Sequence, residues 1–228
     1  MGCDIHICIQ AQDPDGAWVE IVYQDEPYEF EKARAVMALP NIPVAPVGFH
    51  ERDYDLFGIL ADVRNGTGFA GCTTGEGWPS IAPNRGWPDG FNPEAVADNP
   101  KYPGKGPRSM GDHSETWVTL DELKAFDWDG VTTTLYGVVS ADEYERLSDG
   151  EKPREWSGGI SGLGIAVYDR PRYLEAKRMR RLAKRPYVGT NWKESARSAT
   201  NDWPGKVIPW LTSLAAGRPL RLVLGFDS

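Results

Sequence analysis

The sequence predicts an α+β fold: a mixed, mainly antiparallel sheet that contains both the N- and C-terminal strands, flanked by helices and carrying one long Gly/Pro-rich loop. Three observations lead there. Residues 3–10 alternate, with Cys3, Ile5, Ile7 and Ile9 on one face and Asp4, His6, Cys8 and Gln10 on the other. Leu220, Leu222, Leu224 and Phe226 repeat the pattern at the other end of the chain, so the two termini bury their apolar faces most economically as neighbours in one sheet. Between them, strand-like and helix-like stretches follow no regular βαβ order. At 228 residues the chain is expected to be a single domain, 1–228, with residues 65–112 as a loop or lid insertion.

Taken in order, Asp13-Pro14-Asp15-Gly16 reads as a tight turn and Trp18–Tyr23 as the second strand of a hairpin. Pro27–Leu39 is rich in helix formers and stops at Pro40, and 41–46 is an extended connector. The spacing of Leu56, Phe57, Leu60 and Val63 predicts a helix over 52–66, ended by Asn65-Gly66. Residues 65–112 hold ten Gly and seven Pro, a length of irregular chain that usually serves function. Its Trp78, Trp87 and Phe91 are too apolar to be left in water, so part of it folds back.

Downstream, Gly111–Val118 is read as a strand, and Thr119 with Glu122 has the spacing of a capping box. Val131–Val139 alternates as a strand and Ser140 with Glu143 opens another helix. A second Gly-rich loop, 149–162, precedes a short strand at Leu163–Tyr168 and a basic helix from Asp169 that stops before Pro186. Asn191 and Glu194 are expected to cap a helix to about Asn201; Pro204 interrupts, and Val207–Ala216 continues to Gly217.

Composition limits the function classes. A net charge of −8 argues against a general nucleic-acid coat. From Arg170 to Pro186, however, eight Lys or Arg face one Glu, a local +7 that leaves −15 on the remainder. This segment is either a solvated helix face or an anion-steering surface. Cys3, Cys8 and Cys72 form no C-x-x-C pair, which fits a reducing compartment. No apolar run approaches the ~18 residues that cross a bilayer. The opening Met-Gly-Cys has His6 where the myristoylation pattern wants Ser or Thr, so a cytoplasmic, unanchored protein is expected.

The sharpest chemical signal is Asp4 and His6 on one face of the first strand. A carboxylate and an imidazole so placed are a mutually hydrogen-bonded pair, two ligands of a divalent metal (Zn, Mn or Mg), or a metal-free acid/base site. His113, beside Ser114 and Glu115, is the favoured third contributor to catalysis or metal binding, and His50 reads as a surface residue. Cys8 is either an inert buried thiol or a thiolate activated by His6. For anion recognition Arg52, Arg64 and Arg85 supply guanidinium forks, with Tyr54 and Trp87 as neighbouring rings. No nucleophile elbow, Walker loop or dinucleotide fingerprint is present.

The opening Gly2-Cys3-Asp4-Ile5-His6, the block from Arg52 to Arg64, Arg85-Gly86-x-Pro88-x-Gly90, His113-Ser114-x-Thr116-Trp117 and the ending Arg221–Asp227 resemble a group of small bacteriophage proteins that begin Met-Gly-Cys-Asp-Ile-His. The resemblance spans the chain and implies a phage origin without assigning an activity. A phage protein of this kind is expected to act on a nucleotide, including the signalling nucleotides of bacterial immunity, in the cytoplasm of the infected cell. Three functions follow: a metal-dependent phosphodiester or phosphoanhydride hydrolase, a non-catalytic nucleotide-sequestering protein, or an acidic inhibitor of a host protein. The expected partner is a small-molecule nucleotide rather than a long nucleic acid or a membrane, with homo-oligomerisation left open.

Overall fold

Strands from opposite ends of the chain form the centre of the structure, a computed structural model that describes residues 2–24, 42–97 and 109–227. β1 (Asp4–Gln12) runs antiparallel to β7 (Leu220–Asp227), in register from Asp4 opposite Asp227 to Ala11 opposite Leu220. β2 (Trp18–Glu20) adds to β1 through the expected hairpin, and β3 (His113–Thr119) lies on the far side of β7, giving the order β2-β1-β7-β3. The alternation of the termini explains this pairing. Ile5, Ile7, Ile9, Leu222, Leu224 and Phe226 all enter the main core from one face. On the other face, Cys8 and Val223 meet Val96 and Met110, with Trp87, Phe91 and Trp117 packed alongside. Burial on both faces is why the final strand reads as a nearly continuous apolar run.

The helix α1 (Tyr54–Ala61) lays Leu56, Phe57, Ile59 and Leu60 on the core face of this sheet. Each such side chain contributes roughly 1.5–3 kcal/mol by leaving water. The Asp53 carboxylate accepts the backbone N–H of Leu56 at 3.1 Å and caps the start. The helix ends earlier than the sequence suggests, because Asp62 takes the left-handed cap (φ 61°). Asn65 serves another purpose: its side chain accepts from Trp78 N at 2.6 Å and donates to Trp78 O at 2.8 Å, pinning the loop to the helix.

α2 (Leu120–Ala125) carries the predicted reciprocal capping box of Thr119 and Glu122. β4 (Thr132–Ser140), α3 (Ala141–Arg146), β5 (Ile165–Tyr168) and α4 (Arg170–Arg178) follow where expected, although α4 stops well short of Pro186. Residues 191–195 are a correction. They belong to β6 (Arg185–Ser195), and the helix behind them shrinks to α5 (Ala196–Ala199), capped by Ser195. Val188, Trp192 and Glu194 are the buried positions of β6. A carboxylate on the inward face hid the period of two; it is tolerated because Trp192 Nε1 (2.8 Å), Ser198 Oγ (2.6 Å) and Lys152 all bond to Glu194.

β4, β6 and β5 form a second sheet in that order, antiparallel then parallel, so the strands of the described residues divide between two sheets rather than one. Leu135 and Trp192 of this sheet join the same main core as β1 and β7. α6 (Trp203–Ala215) begins at Trp203, with Pro204 in its first turn where a missing N–H costs nothing; Pro204 starts this helix rather than interrupting it. The helix expected over 27–39 lies outside the described residues, as do 98–108 of the long loop. The described part of that loop divides in two. Its first half approaches β4, with Gly75 bridging Leu135, and Trp87 and Phe91 of its second half cover the outer face of the first sheet.

Candidate functional site

Antiparallel register places Asp227 directly opposite Asp4, and with it a carboxylate that sequence spacing did not single out. Asp227 Oδ2 lies 3.0 Å from His6 Nε2, and Oδ1 accepts the Asp4 backbone N–H at 3.3 Å. The hydrogen bond with His6 holds the Asp227 carboxyl below the usual range. Asp4 does not pair with His6. It is gripped in a fork by Arg52, at 2.7 Å from Nε and 2.8 Å from the terminal nitrogen. Both partners are about half exposed, so solvent screens the pair and it adds little to stability.

His113 pairs with Phe226 and stacks on its ring at 6.2 Å. Its Nδ1 is 2.9 Å from Ser114 Oγ, and its Nε2 is 4.0 Å from Cys3 Sγ. A bulge between His113 and Thr116, with Ser114 at φ 56°, aims the ring there. Phe226 and Cys3 share the core-facing parity, whereas Asp4, His6 and Asp227 share the opposite one, so the two histidines approach the end of the sheet from different faces. Among the described residues no three His, Cys, Asp or Glu side chains converge as a metal-holding group. Cys3 itself is buried, and that burial pushes its thiol pKa up against the opposing pull of Arg64.

Tyr54 links this corner to a cavity of about 750 Å³. The Cys3 backbone N–H donates to the Tyr54 hydroxyl at 3.3 Å, and the Arg64 guanidinium lies over the Tyr54 ring at 5.6 Å. The cavity is walled by the start of α1 (Arg52, Asp53, Tyr54, Asp55), by Arg64, by the 66–74 segment and by 156–161. Phe69 is 62% exposed and Trp156 39% exposed, both on this cavity. Trp156 is held edge-on against Trp192 at 5.0 Å, and its neighbour Ser157 bridges Val138 of β4.

Two acids in the wall are unusual. Desolvation pushes the Asp53 carboxyl up to about 7, despite the Leu56 N–H bond that favours its charged form, and the charges of Asp55 and Glu51 add to the rise. Burial also raises Asp55, opposed by the hydrogen bond it accepts from Trp78 Nε1 at 2.8 Å. Near neutral pH the wall therefore carries two guanidinium cations, that of Arg52 already forked onto Asp4, together with a carboxyl able to give or take a proton, and aromatic rings. That set suits an anionic ligand with a flat apolar part.

Of the ligand-binding residues expected from the sequence, Arg52, Tyr54 and Arg64 meet in this cavity, and Asp4 is tied to it through Arg52. Arg85 and Trp87 lie elsewhere. Arg85 is bound to Glu122 (2.7 and 3.1 Å), to the carbonyls of Ile81 and Trp117 (3.1 Å each), and over the Trp117 ring. Trp87 packs on Phe91 and over Gly225, the residue opposite His6. His50 stacks on Tyr23, with Nε2 at 2.9 Å from its hydroxyl. Sequence reasoning missed Asp227, Asp53, Phe69 and Trp156. For Asp53 the cap position was a usable signal, since a carboxyl fixed at a helix start beside a loop is held in place by the backbone. No protein-family model matches the sequence, and no curated protein or solved structure matches it significantly.

Proposed function

We propose that the chain binds a nucleotide in the cavity between α1 and the 66–74 and 156–161 segments. The observation that carries this reading is that Arg52, Tyr54 and Arg64 share one cavity of about 750 Å³ with the exposed rings of Phe69 and Trp156. The volume falls in the range of small-molecule sites, guanidinium forks suit phosphate, and a ring left facing water is available to stack on a base. Sequestration needs nothing beyond these groups. Together with the phage resemblance, it makes an immune signalling nucleotide in the cytoplasm of an infected bacterium the ligand of first choice.

Hydrolysis of that ligand is the second reading, favoured by two observations: the partly buried His6–Asp227 pair, in which the carboxylate orients an imidazole, and Asp53, a proton carrier near neutral pH. Its metal-dependent form, with Asp4, His6 and His113 as ligands of Zn, Mn or Mg, would need Asp4 to release Arg52 and the two histidines, which approach from different faces, to be brought to one point.

Melting temperatures measured across linear and cyclic nucleotides test binding, because a ligand at a hundred times its Kd adds about 2.7 kcal/mol to stability. Arg64→Ala and Phe69→Ala should each abolish or weaken the shift at least tenfold. Recovery of intact ligand from the denatured complex means sequestration; fragments that vanish with His6→Ala or a chelator mean hydrolysis. A panel in which no nucleotide raises the melting temperature refutes the proposal.

A further inference from the structure

The positive segment has a surface of its own, remote in composition from the cavity. Arg178, Arg180, Arg181, Lys184 and Arg185 are all exposed, crowded into the turn that joins α4 to β6, and none has an ion-pair partner among the described residues. Arg170, Arg172 and Lys177 of the same segment do have partners, in Asp149, Asp169 and Glu145. Beside this turn sits an apolar tip. Leu163 is 100% exposed between Gly162 and Gly164, and the tip is fixed to the basic turn: Arg185 N donates to Gly164 O at 3.0 Å, and Ile165 pairs with Arg185. Leu174 on α4, Met179 at its C-cap and Val167 on β5 are about half exposed as well.

Leaving several aliphatic side chains in water next to arginines that have no ion-pair partner among the described residues is unfavourable for an isolated surface, and the combination narrows what covers it. Guanidinium groups fit phosphate. The exposed apolar side chains are aliphatic, which suits acyl chains better than bases. Two of the rings nearby are engaged internally: Tyr173 is buried, and the Tyr168 hydroxyl accepts the Ala183 N–H. The rest of the chain is strongly acidic, so an anionic surface repels every approach except one through this patch.

We propose that the 163–185 surface docks the protein onto an anionic phospholipid bilayer, with Arg178, Arg180, Arg181, Lys184 and Arg185 at the headgroup phosphates and Leu163 inserted at the interface. The association is peripheral: no helix among the described residues is long and apolar enough to cross a membrane. It departs from the expectation that the chain has no membrane partner.

Co-sedimentation of the full chain with vesicles of phosphatidylglycerol and phosphatidylcholine, against phosphatidylcholine alone, tests this. Binding is expected only to the anionic vesicles and should be lost at high salt. The triple variant Arg178→Gln, Arg180→Asn, Arg181→Gln should bind about a hundredfold more weakly. Asn is chosen at position 180 because its φ of 54° is tolerated by Asn. Leu163→Ser should weaken binding about tenfold without changing its salt dependence. All variants should keep wild-type melting temperatures, since they alter only exposed side chains. Equal binding to both vesicle types, an unaffected triple variant, or retention on duplex RNA without vesicle binding would each overturn the proposal.

Discussion

Asp53→Asn separates the helix-capping role of this residue from its charge. Asn accepts the Leu56 N–H as well as Asp does, so the cap survives. What changes is titration. The native carboxyl holds its proton to about 7, far above its ordinary 3.8, because burial at the cavity wall beside Asp55 and Glu51 disfavours the anion. A native pKa above the unfolded one means that the native state binds the proton more tightly. The resulting stabilisation is fully present below about pH 4 and is lost as pH rises toward 7. At ~1.4 kcal/mol per tenfold change, the full loss is about 4 kcal/mol, and relaxation around the buried anion brings the expected figure to about 2–4 kcal/mol. Urea denaturation of both proteins should therefore give nearly equal stabilities at pH 4 and a more stable Asn variant at pH 8. A stability difference that is the same at the two pH values would refute the assignment of Asp53 as a buried acid protonated near neutrality.

Arg85→Ala removes the fork on Glu122 and should cost about 1–2 kcal/mol in denaturant titrations while leaving any nucleotide-induced melting shift unchanged. Glu122 is held down to about 2, its desolvation outweighed by hydrogen bonds from Arg85 and Thr119, so its contribution is present above about pH 4.5 and is lost as pH falls toward 2; Glu122→Gln should flatten that acid limb. Gly225→Ala should prevent folding or cost more than about 3 kcal/mol, because a Cβ there would lie 1.7 Å from Met110 O; a soluble variant with the wild-type melting temperature would contradict the close approach of the loop to β7.

The local chemistry of this chain was readable residue by residue. Alternation at Ile5, Ile7 and Ile9 and at Leu220, Leu222 and Leu224 marked strands with a buried face, and the Thr119–Glu122 spacing marked a capping box that is present. Such signals act over a few residues and need no partner to be recognised. β6 was misread because its inward Glu194 is acceptable only with Lys152, Trp192 and Ser198 in place, and the contact with Lys152 lies far away in sequence.

The candidate site follows the same division. Sequence alone placed Asp4 and His6 on one face of a strand and offered Arg52, Tyr54, Arg64 and His113 as companions. It could not tell that Asp4 belongs to Arg52, that His6 belongs to Asp227 at a separation of 221 residues, or that Arg85 is spent on Glu122. Side-chain parity and caps are properties of short segments, so the sequence determines them by itself. Which groups then meet is decided by the burial of whole apolar faces, and the register that buries Ile7 against Leu224 is what carries Asp227 to Asp4 and His6.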